Sequence, residues 1–167
     1  MAQQTETQSY DVIEKYDNIE IRYYPPAVKV KSKGKISDNK NFRNLFNYIS
    51  GSNSKNEKIS MTTPVYMKNS EGNQIMEFVL PKKFNDKEIP KPVNENLEVY
   101  ISKEGIYASI RYSGYNNNEK QALNTKRLLH KLKELKREAK GKPILLSYDA
   151  PYKFYNRRNE ILIELSN

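Results

Sequence analysis

Six segments of this chain alternate apolar and polar residues, and their order is laid out twice along its length. Ile19, Ile21 and Tyr23 alternate with Glu20, Arg22 and Tyr24. Val28 and Val30 alternate with Lys29, Lys31, Lys33 and Lys35, whose ammonium groups are expected to stand in water. Met76, Phe78 and Leu80 form a third set; Leu97, Val99 and Ile101 a fourth; Ile106, Ala108, Ile110 and Tyr112 a fifth; Ile161, Ile163 and Leu165 the last. A period of two sends successive side chains to opposite faces. Each segment therefore predicts a strand with one buried and one wet face, the pattern of antiparallel sheet.

Two stretches break this period for that of a helix. Phe42, Leu45, Phe46 and Ile49 fall at i, i+3, i+4 and i+7, predicting about three turns with Asp38 as N-cap and Gly51 just past the end. The second helix is expected over 118–140. Ala122, Leu128, Leu129, Leu132, Leu135 and Ala139 share one face, Lys126, Lys133, Arg137 and Lys140 lie opposite, and Gly141 and Pro143 end it. Each half of the chain then runs strands, helix, a strand ending in a proline turn, and another strand. Val65-Tyr66 after Pro64 answers Tyr152 after Pro151, and Phe78-Val79-Leu80 answers Ile161-Leu162-Ile163. The expectation is an α+β fold from a duplicated strand-helix-strand unit, with halves of roughly 10–95 and 96–167 closing into one antiparallel, barrel-like sheet that carries both helices. Residues 1–9 (MAQQTETQS) are short and polar and are expected to form a disordered tail ahead of a single domain, 10–167.

Composition narrows the chemistry. With no cysteine, disulfides, thiolate metal sites and cysteine nucleophiles are excluded, and the single histidine, His130, excludes any site built on two imidazoles. Thirteen tyrosines and five phenylalanines are too many for a disordered chain of 167 residues. No window holds 18 consecutive apolar residues, so no membrane-spanning helix is expected. The net charge of +9 is local: residues 120–142 hold nine Lys or Arg against two Glu, and the rest is close to neutral. Such a face can serve nucleic acid or anionic lipid. The preferred reading is the solvated side of an amphipathic helix, and since no nucleic-acid motif accompanies it, no nucleic-acid partner is expected. As written the chain is expected in the cytoplasm, as a monomer; export follows if Met1 replaces a removed signal peptide, since Ala-Gln-Gln resembles the residues after a cleavage site.

Candidate sites are few. Asp149, Glu160, Arg157 and Arg158 sit near the last turn and strand, where a structural ion pair pinning that turn is the preferred reading over an active site. His130 is expected to face solvent among lysines. There is no Gly-rich phosphate loop and no metal-ligand spacing, so no structural metal is expected. What remains is an aromatic and thioether set: Phe42 and Phe46 from the first helix, with Tyr23, Met61, Met76 and Phe78 from strands and turn. Ser32 and Gly34 are small enough to leave a hollow on the face of Val28 and Val30. This set could line an apolar pocket for a flat ligand or simply fill the core, and pattern alone favours the core.

Eight blocks of residues, in order, resemble the SOUL haem-binding protein family over roughly Tyr10 to Leu165. They are Tyr10-Asp11-Val12-Ile13; Ile19-Glu20-Ile21-Arg22-Tyr23-Tyr24-Pro25-Pro26-Ala27; Phe42-x-x-Leu45-Phe46-x-Tyr48-Ile49-x-Gly51-x-Asn53; Lys58-Ile59-x-Met61-Thr62-Thr63-Pro64-Val65; Phe78-x-Leu80-Pro81; Ser113-Gly114; Tyr148-Asp149-Ala150-Pro151-Tyr152; and Arg157-Arg158-Asn159-Glu160. The resemblance implies a distorted eight-stranded antiparallel β-barrel with two α-helices. It also implies non-covalent, non-catalytic binding of haem or another tetrapyrrole in an apolar pocket beside the first helix, formed by Tyr23, Phe42, Phe46, Met61, Met76 and Phe78, with Arg43 at the rim for the propionates.

The chain also departs from the family. Some animal members carry a histidine, thought to ligate iron, where Tyr23 stands here. Asn39 and Asn47 replace basic residues found on the first helix of others, leaving Lys40 and Arg43 as the nearby cations. A more distant likeness to effector-binding domains of bacterial transcription regulators implies the alternative, a small-molecule-binding or interaction module whose ligand is not haem. For a hydrolase or tetrapyrrole-modifying activity, Tyr148, Asp149 and Glu160 would be the residues to test.

Overall fold

The computed structural model describes residues 4–150 and 152–167. Along the chain lie β1 (Glu6–Thr7), β2 (Asp11–Tyr16), β3 (Ile19–Tyr24), β4 (Val28–Lys35), α1 (Asn41–Ile49), β5 (Thr62–Thr63), β6 (Val65–Ser70), β7 (Asn73–Val79), β8 (Leu97–Ile101), β9 (Gly105–Tyr112), α2 (Asn118–Glu134), β10 (Ala139–Ser147) and β11 (Asn159–Leu165). Two helices and nine strands in antiparallel pairs make an α+β fold, with β1 and β5 forming a short parallel pair of their own. Of the nine-residue polar tail, Glu6 and Thr7 lie in β1, and the first three residues fall outside those described, as does Pro151.

The chain folds as two compact units that interleave in sequence. One comprises residues through Gln8 and Pro26–Lys103, the other Ser9–Pro25 and Glu104–Asn167. In the first unit the strand order is β6-β7-β4-β8, with α1 on β4 and β7. In the second it is β2-β3-β9-β11-β10, with α2 on β9, β10 and β11. The register exposes the duplication. Val30 of β4 lies between Phe78 and Val99, as Ile110 of β9 lies between Ile161 and Ile19. The run β4-α1-β6-β7 therefore answers β9-α2-β10-β11. The flanking strands are exchanged: β3, made just before β4, pairs with β9, whereas β8, made just before β9, pairs with β4.

An eight-stranded barrel is not what forms. Nine strands take part, and within neither unit do the outermost strands pair with one another. Two strands were hidden in the sequence. The apolar residues of β2, Val12 and Ile13, are consecutive and both exposed, so no alternation marks the strand, and its pairing with β3 shifts register between Val12 and Glu14. β10 begins at Ala139, inside the span expected for the second helix.

That helix stops at Glu134. Leu135 caps it and Lys136 turns the chain into the left-handed region at φ 54°, after which Ala139 and Lys140 pair with Leu165 and Glu164. The helical period continues on paper through Leu135 and Ala139, but Leu135 is the cap and pairing with β11 takes Ala139 instead. The buried face of α2 is narrower than expected: Asn124, Leu128 and Leu132 are buried, while Ala122 and Leu129 are exposed. At α1, Asp38 lies in a preceding 3-10 turn and Lys40 takes the N-cap position, whereas Gly51 follows the cap at φ 124°, a conformation that favours glycine.

The face of each sheet that carries its helix is apolar, as read. Val28, Val30, Leu45, Ile49 and Phe78 pack in the first unit; Ile21, Ala108, Ile110, Leu128 and Ile163 pack in the second. The opposite face is the surprise. Arg22 and Lys29, expected in water, are 2% and 7% exposed. Arg22 and Lys29 are held on that face by charge pairs and tyrosines, whereas Lys33 and Lys35 of β4 stand in water as expected.

Candidate ligand-binding face and buried polar clusters

In the first unit, α1 is held by Leu45, Tyr48 and Ile49, which are buried, and by Asn41, whose Nδ2 donates to the Gln74 carbonyl at 3.0 Å and whose Oδ1 accepts from the Ser32 hydroxyl at 2.8 Å. Asn41 also occupies the space beside Gly34, where an added Cβ would stand 3.1 Å from Oδ1. The hollow expected at Ser32 and Gly34 is therefore filled. Burial of residues 41, 45, 48 and 49 rotates the helix so that Phe42 and Phe46 flank the buried stripe. They remain 45% and 50% exposed.

Those two rings form a shelf. Their centroids are 6.0 Å apart and nearly parallel at 14°, and Phe42 meets the edge of buried Phe78 at 5.5 Å. Phe78 and Met76 belong to the core of this unit, and Met61 packs half-buried against it. Arg43, next to Phe42, is exposed. Thus Phe42, Phe46 and Phe78 are brought into contact, with Met76 and Met61 in the same cluster. An open hollow of about 470 Å³, lined by Met61, Pro81, Lys83, Ser60, Glu6 and their neighbours, includes only Met61 of the expected set.

Tyr23 belongs to the other unit. Its hydroxyl donates to Glu104 at 2.7 Å, and that bond, followed by desolvation, holds the phenol pKa above its ordinary value. This is the opposite of what an iron-ligating phenolate requires. His130, 74% exposed, lies 3.5 Å from Glu134 on the surface of α2. Among the described residues no group of three or more His, Cys, Asp or Glu could hold a metal ion.

The second unit buries a cluster that sequence reasoning saw only in part. Glu160, fully buried, accepts from Arg22 Nη1 at 2.6 Å and Nη2 at 2.8 Å, and from Arg158 Nε at 3.1 Å and Nη2 at 3.0 Å. Arg22 spends its Nε on Glu20 at 2.7 Å and shares Nη1 with the Tyr24 hydroxyl at 3.0 Å. Its guanidinium lies 4.0 Å from the Tyr10 ring centroid, and that of Arg158 lies 3.8 Å from the Tyr148 ring. Burial pushes the Glu160 carboxyl up, but the bonds and charge of Arg22, then Arg158, outweigh it and hold the group below its ordinary value. Burial raises Tyr24 to about 12 and Tyr148 further still. Three of the four donors converge on Oε2 and one on Oε1, so the carboxylate is held in place as an acceptor by two guanidinium groups. Asp149 accepts the Arg158 backbone N–H and Lys153 Nζ, pinning the turn before β11 as expected.

The first unit holds a thinner counterpart. Glu77, one residue before Phe78 as Glu160 is one before Ile161, is 1% exposed; it accepts from the Tyr100 hydroxyl and lies 3.5 Å from Lys68 Nζ. The Lys29 ammonium sits 3.7 Å from the Tyr66 ring centroid. Burial lowers its pKa to about 8, against a smaller upward pull from Glu77. No local signal marks Arg22, Lys29 or Glu77, since a polar residue in an alternating strand reads the same in water or in a paired network.

Among solved structures the fold is common and the sequences distant. The C-terminal domain of EcmrR superposes with a TM-score of 0.59 at 10% identity, covering 95% of this chain and 98% of that one. A hydrolase from Listeria innocua gives 0.62 at 7% identity over 98% and 94%. SAV2435, solved bound to tetraphenylphosphonium, gives 0.50 at 6% identity over 89% and 94%. At such identities the likeness shows the fold alone. No curated protein matches the chain in sequence. The family comparison is different in kind: the model of the SOUL heme-binding proteins matches residues 5–164. This chain belongs to the SOUL heme-binding protein family.

Proposed function

We propose that this protein binds haem or a related tetrapyrrole without catalysis, on the α1 face of its first unit. The observation that carries the reading is the pair of parallel phenylalanine rings, Phe42 and Phe46, left half exposed beside a core that includes Phe78, Met76 and Met61. A flat macrocycle fits such a shelf, and burying a few hundred Å² of it at about 25 cal/mol/Å² supplies several kcal/mol before association costs, enough for micromolar binding. Arg43 at the rim would meet a propionate, a charge-assisted contact. Bound haem supplies an iron centre; the residues of this chain supply apolar contact and a cation. Tyr23, kept a phenol by Glu104, is read as no iron ligand, and His130 lies exposed on α2.

A second reading is favoured by the fold shared with the EcmrR domain and with the tetraphenylphosphonium-bound SAV2435: a module for a small molecule other than haem. Titration with hemin, read at the Soret band, against Phe42→Ser and Phe46→Ser separates the two. Loss of affinity in both variants supports the shelf; unchanged hemin affinity in both removes it. Mass spectrometry of ligand extracted from the purified protein then names the natural occupant.

A further inference from the structure

The segment between β10 and β11 combines a braced base with an uncovered tip. At the base, the Tyr148 N–H donates to the Arg158 carbonyl, and the Asp149 carboxylate gathers the Arg158 N–H and Lys153 Nζ. Arg157, 8% exposed, donates from Nη1 to the carbonyls of Ala150 and Lys153 at 2.8 and 2.6 Å. At the tip, Tyr152, Phe154 and Tyr155 are 87%, 76% and 66% exposed. A fourth ring, Tyr115, is half exposed and is tied to the loop by the Arg157 guanidinium 4.6 Å from its centroid. Large aromatic side chains held this far into water cost free energy unless something covers them in use.

We propose that this loop is an interfacial anchor for anionic lipid bilayers. Three observations point to a bilayer. The tip projects exposed rings, with Phe154 and Tyr155 edge to face at 5.3 Å between centroids, which suits a soft surface that can close around them. Its chemistry, two tyrosines and a phenylalanine about Lys153, is that of side chains that settle at headgroup depth, apolar body inward and polar end outward. And a basic segment belongs to the same unit: α2 starts just after Tyr115 and carries exposed Lys126, Arg127 and Lys133, followed by exposed Lys136 and Lys142, while Arg137 and Lys140 are paired with Glu14 and Glu164. Aromatic insertion joined to basic attraction is the two-part arrangement that gives reversible binding to anionic membranes.

The chain has no tryptophan, so Phe154→Trp introduces a sole indole at the tip. With vesicles of phosphatidylglycerol and phosphatidylcholine at physiological salt, its emission is expected to shift to the blue and to be quenched by brominated acyl chains. The triple change Tyr152→Ser, Phe154→Ser, Tyr155→Ser is expected to weaken co-sedimentation with the same vesicles by about tenfold or more. Its far-UV circular dichroism and urea midpoint should match the wild type, because the tip packs on no core. An unmoved emission with anionic vesicles overturns the proposal, and so does wild-type sedimentation of the triple variant. Equal binding to pure phosphatidylcholine overturns the charge requirement. Emission that shifts with heparin but is not quenched by brominated lipid assigns the loop to a soluble polyanion and overturns the bilayer.

Discussion

Replacing Glu160 with Gln should be among the most damaging single changes in the protein, although the side chain is nearly isosteric. Glu160 is fully buried and accepts four hydrogen bonds from two guanidinium groups, of which that of Arg22 is itself only 2% exposed. The amide keeps one acceptor oxygen and points donors at donors, leaving two positive charges close together with only the partly exposed Glu20 carboxylate, on the Nε side of Arg22, as counterion. Breaking a buried pair from one side costs about 3–5 kcal/mol, about a fifth or more of a typical domain's stability of about 5–15 kcal/mol. Urea unfolding followed by circular dichroism and tyrosine fluorescence measures it. Arg22→Met, Glu160→Leu and their double change make a cycle, in which the double variant should lose at least about 2 kcal/mol less than the sum of the singles, because the more deeply buried of the two stranded charges, that of Arg22, is then gone. The dependence on pH has a fixed sign. The folded carboxyl lies below its ordinary value near 4.5, so the pair's stabilisation is present above that pH and is lost as pH falls through the folded value. Wild type and Glu160→Gln should therefore converge in acid. A loss under about 1 kcal/mol at pH 7, or a gap that does not narrow in acid, would refute the reasoning.

Three further outcomes are expected. Lys29→Met should raise stability at pH 7: burial holds the folded amine near 8 against an ordinary 10.5, so the cost of the buried charge is present below pH 8 and is relieved as pH rises towards 10.5. The gain, of order 1–3 kcal/mol by the size of that shift less the contact with Tyr66, should shrink between pH 8 and 10.5 in urea titrations; a pH-independent difference would count against it. Phe42→Ala with Phe46→Ala should weaken hemin by about tenfold or more, while costing little stability because both rings are half exposed. Tyr23→Phe should change hemin affinity by less than about threefold and leave the visible spectrum alone; loss of a charge-transfer band on this substitution would show iron ligation.

The sequence was most informative where one period governs one face. Val28, Val30, Ile161 and Ile163 were placed correctly because apolar alternation has a single reading once a helix must cover it. The burial of their neighbours Lys29 and Glu160 is not legible: the ion pair expected for Glu160 near the last turn is made by Arg158, but the partner that lets the charge be buried, Arg22, comes from 138 positions away in sequence. The end of α2 failed for a related reason. Leu135 and Ala139 keep the helical rhythm, and only pairing with β11 shows that Ala139 is strand. At the proposed ligand face the residue types are legible in the sequence and the exposure is not. Phe42 and Phe46 read as core until Asn41 and Tyr48, polar by type, are found buried in the stripe.

The exchanged flanking strands set an order on biosynthesis. Strand β3 leaves the ribosome early, yet its partner β9 begins some ~80 residues later, on the order of ten seconds at about 5–20 residues per second. Throughout that interval Ile19, Ile21 and the Arg22 guanidinium lack the neighbours that bury them, and an open strand edge invites pairing with another nascent chain. The first unit is released sooner, since β8 follows closely on β7. A transcript cut between the two sequence repeats would thus yield a fragment carrying a strand it cannot use and lacking one it needs. Neither repeat is a free-standing piece of protein, however alike their sequences.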